Sequence, residues 1–388
     1  YGVQGNDNLY PDSNYARKYY PYSDNYIHSY NEGTGEYSTE LDYKGNDALT
    51  WETSHSFNAG IDFELFGNRL NGSAEFFSRK TVDLLYSKDV PLSAGNPTGY
   101  YPVNVGSIVN NGFEFNLDGL IMESSYIRWS WNVNLSHYRN RIVSLDPSVS
   151  EKGIVGGNYI YRTGGSLYQA YMRRYAGVNP ENGKAQWYRK VLDRDGEWTG
   201  ESVMTETFAE ASQYDLGSVL PKLYGGFGTS LKAYGFDFSA QFSFQLGGRY
   251  YDGTYQALMH TSSGTGTAWH EDVLKSWSPD NPHSDIPRLD GDTSVGQTAV
   301  SNYLISSNYL SINNITLGYT FPSSITDVMK IEQLRIYVAG DNLAVFSARK
   351  GVDPRYSMGL GSFTSGSGLN SGSYSAMRTI TAGVTLTF

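Results

Sequence analysis

Apolar and polar side chains alternate one by one along this chain, over stretches of about ten residues that recur many times. Phe236, Phe238, Ala240, Phe242, Phe244 and Leu246 fall on one side of an extended backbone, with Asp237, Ser239, Gln241, Ser243 and Gln245 on the other. The same division separates Phe57, Ala59, Ile61, Phe63 and Leu65 from Asn58, Gly60, Asp62 and Glu64. It separates Trp129, Trp131, Val133 and Leu135 from Ser130, Asn132, Asn134 and Ser136, and it returns at the end, where Ile380, Ala382, Val384, Leu386 and Phe388 oppose Thr381, Gly383, Thr385 and Thr387. The pattern predicts about eleven antiparallel strands with one oily and one wet face, near 51–65, 70–86, 107–122, 126–145, 165–178, 184–192, 221–233, 235–250, 308–321, 331–346 and 376–388.

A soluble sandwich also alternates, so the connections decide the architecture. They run short, long, short, long throughout: 66–69 is short, whereas 87–106, 146–164, 193–220, 251–307 and 347–375 are long. Tight turns at one end and long loops at the other are the asymmetry of a transmembrane antiparallel β-barrel of the bacterial outer membrane, with the long loops extracellular and the C-terminus periplasmic. Strand 51–65 then runs downward, residues 1–50 are expected in an extracellular loop, and 51–388 form the barrel part. A closed bacterial barrel has an even strand count, so eleven strands are expected to be a portion of one, because open edges in lipid leave backbone groups unpaired.

Composition narrows the function. With Gly 43, Tyr 33, Phe 17 and Trp 7 among 388 residues, and only 18% charged, the chain suits strands and turns. A net charge of −10 without clustered Lys or Arg argues against nucleic acid as a partner. The mean hydropathy of −0.44 and the lack of a long apolar run exclude spanning helices only. There is no cysteine, which fits an exported protein that needs no disulfide. Nucleophile elbows, phosphate-binding loops and paired histidine ligands are missing, so no enzyme, cofactor or metal chemistry is expected.

Several segments resemble one family. Residues 49–86, LTWETSHSFNAGIDFELFGNRLNGSAEFFSRKTVDLLYS, and 103–117, VNVGSIVNNGFEFNL, are similar to consecutive stretches of the SusC/RagA family of TonB-dependent transporters. YAGVNPENGKAQWY at 175–188, LPKLYGGFGTSLKAYGFDFSAQFSFQLGG at 220–248 and WSPDNPHSDIPRL at 277–289 follow in the family's order. SNYLSINNITLGYTFP at 307–322, LRIYVAGDNLAVFSARKGVDPR at 334–355 and MRTITAGVTLTF at 377–388 complete the series. The resemblance implies a barrel of about 22 strands, of which this chain is the C-terminal half, with the plug domain outside it. It also implies import of a bulky nutrient, an oligosaccharide or a peptide. The implied partners are a SusD-like surface lipoprotein, TonB acting through the N-terminal region, the remaining half-barrel with its plug, and outer-membrane lipid. A passive porin, an adhesin-like barrel and a soluble β-sandwich binding module are the rival readings.

Individual residues carry weaker signals. Trp269, Val273 and Trp277 share one face if 268–277 is helical, and Trp187 and Trp198 sit near other predicted loops. These tryptophans are candidate ligand or partner contacts, and equally candidates for the loops' own cores. Asp193, Asp195 and Glu197 in LDRDGEWTGE hint at a calcium loop but lack the distal Glu, which favours an Asp-Gly turn. Phe388 resembles the terminal aromatic signal for barrel assembly. Tyr250, Tyr309, Tyr319 and Tyr337 are expected in interfacial girdles. Gly351, Val352, Asp353, Pro354 and Arg355 have no evident chemistry.

Overall fold

Alternation with a period of two becomes structure when every strand places the same set of residues on the same face. The computed structural model describes residues 1–7, 20–146, 153–259, 268–289, 300–351, 353–355 and 376–388. Its main element is one ten-stranded antiparallel sheet in which chain neighbours are also sheet neighbours. The strands are β1 (Gly2–Asn6), β2 (Glu52–Leu65), β3 (Leu70–Val82), β4 (Ser107–Glu123), β5 (Ile127–Ser144), β6 (Leu223–Ala233), β7 (Phe236–Leu246), β8 (Tyr309–Thr320), β9 (Gln333–Ser347) and β10 (Thr379–Thr387).

The register carries the apolar face unbroken across the sheet. Phe63, Gly72, Leu117, Val133, Phe227, Phe242, Ile312 and Ala344 stand opposite one another from β2 to β9. Ile61, Ala74, Phe115, Leu135, Gly225, Phe244, Leu310 and Phe346 form a parallel row. On the other face the corresponding row reads Asp62, Ser73, Asn116, Asn134, Gly226, Ser243 and Ser311. A slip of one residue in any strand would interchange the faces, so the side-chain pattern fixes the pairing. Opposed aromatic and aliphatic pairs, such as Phe227 and Phe242 with centroids 4.8 Å apart, add about 0.2–1 kcal/mol each. The apolar face stays open: Ile61 is 69% exposed and Phe388, just beyond β10, is 86% exposed. Water does not tolerate a contiguous apolar surface of this extent, whereas lipid does.

All short connections lie at one end of the sheet. Between β6 and β7, Tyr234 and Gly235 both take positive φ, as a two-residue hairpin turn that matches strand twist requires. Tyr234 stacks there on Tyr126, centroids 5.7 Å apart. Nearby on the polar face, Arg335 of β9 reaches across β8 to clasp Asp237 of β7, with Nε–Oδ1 and Nη2–Oδ2 separations of 2.9 and 2.5 Å. Gly318 of β8 lies between them, and a Cβ there would fall 2.6 Å from both side chains.

The sheet differs from the sequence expectation in membership. Of the expected strands 165–178 and 184–192, residues 169–173, 175–178 and 185–192 are extended, but none joins it, because β5 pairs directly with β6. Instead, Gln169–Arg173 pairs in a four-stranded sheet with Ile154–Gly156, Tyr159–Tyr161 and Gln213–Ser218, while Ala185–Leu192 pairs with Tyr175–Val178 and Trp198–Thr205. The expected loops 146–164 and 193–220 are thereby parts of one excursion between β5 and β6. Losing two strands leaves the relative direction of all the others unchanged. The sheet also begins before residue 51, since β1 pairs with β2, and a hairpin of Asn25–Asn31 and Glu36–Tyr43 follows it. The end of the expected loop 347–375, residues 356–375, lies outside the described residues.

The buried core sits in the long connections, not within the sheet. Tyr159, Ala170, Met172, Ala185, Trp187, Ala211 and Val219 from the β5–β6 excursion pack with Tyr251, Val300 and Tyr303 from the β7–β8 connection. Tyr250 is buried in this cap, while Tyr309 and Tyr337 lie on the polar face of the sheet, in register with Gln245 and Gly318. Of the four tyrosines expected in girdles, only Tyr319 is on the apolar face, tilted against Phe236 at 4.6 Å.

Because the apolar rows face outward, Phe242→Arg near the middle of β7 is expected to destabilise the folded protein by about 2–4 kcal/mol in lipid. Ser243→Thr, on the opposite face, should change stability by less than about 0.5 kcal/mol. Unfolding midpoints in vesicles, followed by heat-modifiable gel mobility, measure both.

Candidate ligand-binding surface

The polar face is a wall of amides and hydroxyls. Alternation puts Asn, Gln and Ser most densely on the inward side of β5 and β7, at Ser130, Asn132, Asn134, Ser136 and Asn140 and at Ser239, Gln241, Ser243 and Gln245, and neighbours satisfy one another across strands. Asn140 Nδ2 donates to Asn110 Oδ1 at 2.8 Å, Ser243 Oγ to Asn313 Oδ1 at 3.1 Å and Asn314 Nδ2 to Asp341 Oδ1 at 2.7 Å. The amides and hydroxyls among them are neutral and can both donate and accept, which suits hydroxyl-rich or peptide-like solutes.

At the long-connection end, the cap is tied to this wall by residues from distant segments. Asp353 and Arg355 pair at 2.6 Å, and Arg355 Nη1 donates to Ser311 Oγ at 3.0 Å and to Asn313 and Asn342 Oδ1 at 3.3 Å. Those acceptors flank the irregular pairing between Ile312 and Asn314, where Asn342 takes a φ of 51°. The GVDPR segment, silent in sequence, thus staples the last long connection onto a bulge; Val352 is outside the described residues. A second tie is the Asp252–Arg349 ion pair at 3.1 Å, with the Asp252 carboxylate fully buried and also accepting from Tyr255 N at 3.0 Å. Burial pushes the Tyr303 hydroxyl up to about 12 beside this pair. A cleft of about 600 Å³ lies between wall and cap, lined among others by Tyr138, Asn140, Ser166, Gln169, Ser218 and Lys222.

The four candidate tryptophans separate into two kinds. Trp187 is 2% exposed, deep in the cap core, with Phe208 edge-on at 5.2 Å. Trp277 packs over Gly183 and donates from Nε1 to Pro180 O at 3.1 Å. Trp198 and Trp269 are each 47% exposed to solvent. The helix expected over 268–277 is only a 3-10 turn, Glu271–Lys275, capped by His270, so Trp269 and Trp277 share no helical face. Asp193, Asp195 and Glu197 form a tight turn in which Asp193 Oδ1 accepts from Asp195 N at 3.0 Å and Glu197 N at 2.8 Å. Among the described residues no three His, Asp or Glu side chains are grouped to hold a metal.

Two motifs far apart in sequence form one unit in the cap. The NPENGK turn at 179–184 is braced by Trp277 and by Arg288, whose Nη1 donates to Asn182 O at 3.0 Å and whose N donates to Gly183 O at 2.9 Å. Asn179 and Asn182 amides donate to Glu206 Oε1 at 2.6 and 3.0 Å. These bonds, with help from Lys184 and Arg288, hold the Glu206 carboxyl below its ordinary value. Its contribution is therefore complete above about pH 4.3, the unfolded value, and is lost as pH falls through the lower folded value. Glu206→Gln should flatten the acid limb of cap unfolding followed by tryptophan fluorescence. Gly183 has φ +74, and a Cβ there would lie 2.3 Å from Trp277. Gly183→Ala should cost about 1–3 kcal/mol, seen as faster amide exchange in 175–188 and 277–288 with the sheet unaffected.

Comparison with known proteins agrees with this architecture. The chain is 29% identical over 359 residues to TonB-dependent receptor P3 of Formosa agariphila, covering 88% of this chain and 35% of that protein. It is 26% identical over 379 residues to the TonB-dependent receptor SusC of Bacteroides thetaiotaomicron, covering 93% and 35%. Among solved structures, the RagAB peptide importer in its closed-closed state superposes with a TM-score of 0.70 at 25% identity, over 91% of this chain and 37% of that one. The chain thus spans about a third of the length of these relatives, which are receptors and transporters and not enzymes. A family model described as TonB dependent receptor-like, beta-barrel, matches residues 6–343, and the chain belongs to that family of outer-membrane β-barrels.

Proposed function

We propose that this chain supplies wall and mouth to an importer of bulky nutrients, oligosaccharides foremost, driven by TonB and served by a SusD-like surface lipoprotein. The observation that carries the reading is the joining of an amide-lined wall to a cap with its own core, pinned by Arg355 and Arg349 at one end of the sheet. A passive pore needs an open lumen, whereas a cored cap over a polar wall suits capture of a large solute. In this arrangement the long connections face outward from the cell and the C-terminus faces the periplasm. TonB acts through an N-terminal region and a plug beyond these residues, and the rest of the barrel closes the two sheet edges. No bound cofactor enters the scheme, since the work comes from the inner membrane. Peptide import is the second reading, favoured by the likeness to the RagAB peptide importer.

The test is uptake in whole cells. Accumulation of labelled oligosaccharide should require both this protein and TonB, and should collapse on adding a protonophore. Uptake that persists without TonB would instead establish a passive pore. An epitope inserted at the 193–197 turn should label on intact cells, and one at the C-terminus only after permeabilisation.

A further inference from the structure

One ammonium in the cap makes no salt bridge among the described residues. Lys190, in the strand Ala185–Leu192, projects where the two small sheets meet, and its Nζ lies 5.0, 5.2 and 5.9 Å from the ring centroids of Tyr214, Trp198 and Tyr171. Among the described residues it has no salt bridge and no side-chain hydrogen bond. Arg162 places its guanidinium over the same Tyr171 ring at 5.9 Å. Burial first, and then the Arg162 charge, lower the Lys190 pKa, while Asp215 acts in the opposite sense. The Asp215 carboxylate is already engaged, accepting from Gln169 Nε2 at 2.6 Å and from Gly217 N at 2.9 Å.

The rings around Lys190 are held in place. Tyr214 OH and Ser202 Oγ are 2.8 Å apart, Trp198 Nε1 donates to Glu201 O at 2.7 Å, and Trp198 and Tyr214 meet edge to face at 5.8 Å. Nearly half of Trp198 is open to solvent. A partly desolvated ammonium gains most from a charged acceptor, because hydrogen bonds between ionised groups are about twice as strong as neutral ones. A flat exposed ring beside it suits a pyranose, whose C–H face stacks while its hydroxyls meet side chains such as Gln169 and Ser202.

We propose that Lys190, Arg162 and Trp198 form a subsite for an acidic oligosaccharide, with Lys190 and Arg162 holding its carboxylate or sulfate ester and a sugar ring lying on Trp198. The subsite rests on the import reading above in taking the ligand to be a glycan, and it deepens that reading by naming the ligand's charge. Cation–π contacts hold Lys190 in place while its donors remain available to an anion.

The test uses the intact protein in detergent on an array of oligosaccharides with matched neutral, uronate and sulfated backbones, and acidic peptides on the same surface. Binding should fall on acidic glycans, with the uronate and sulfate spots identifying the charged group. Lys190→Gln and, separately, Arg162→Gln should each weaken that binding by about tenfold or more. Lys190→Arg should retain most of it, and unfolding midpoints would confirm intact folds. Preference for neutral glycans, for acidic peptides or for no spot, or acidic binding unchanged in both Gln variants, would overturn the subsite. Failure of the import reading would appear separately, as uptake that ignores TonB.

Discussion

In lipid a backbone amide or carbonyl has no water to turn to, and leaving one unpaired costs several kcal/mol. This constraint underlies every other feature of the chain. It forces a sheet in which each inner strand, β2 to β9, pairs on both sides, and it makes their register a condition of stability. The two apolar rows through Phe227 and Phe244 follow, because only one register keeps them on the lipid side. The polar face is the necessary complement: with the oily residues turned outward, Asn116, Asn134 and Ser243 remain to line the interior.

The cap obeys the opposite rule. Its connections lie in water, so they must bury their own apolar surface, and they do so around Trp187, Met172 and Tyr303 as a small soluble domain would. Charged side chains then attach this domain to the wall. Arg355 reaches the bulge in β8 and β9, and Arg349 meets the buried Asp252 carboxylate. A buried pair of this kind contributes little net stability but penalises any arrangement that separates its partners strongly. The cap is accordingly fixed in position over the polar face by specificity more than by area.

Much of the wall was legible from sequence, because alternation is a direct image of a two-faced sheet. Phe236–Leu246 and Ile380–Phe388 needed nothing more. The same reasoning placed 165–178 and 184–192 in the wall, for a physical reason: Ala170, Met172, Ala185 and Trp187 alternate inward toward a soluble core as they would toward lipid. A period of two says that one face is buried, not in what. The GVQGN strand at the start has no apolar alternation to reveal it. The settings of Arg355 and Lys190 were invisible because Ser311 and Asn313, and Tyr171 and Tyr214, come to them from other strands. At Asp193 the turn is local chemistry, the carboxylate accepting from the backbone amides of Asp195 and Glu197.

The central claim is that one face of this sheet meets lipid and the other a polar interior. Having no native cysteine, the chain allows single-cysteine nitroxide labels at 61, 63 and 227 and at 62, 134 and 243, in the intact protein in vesicles. Collision with oxygen, which partitions into lipid, should be high at the first three sites and low at the others, with a water-soluble nickel chelate giving the reverse. Equal accessibility on the two faces, or the reverse assignment, would contradict the account.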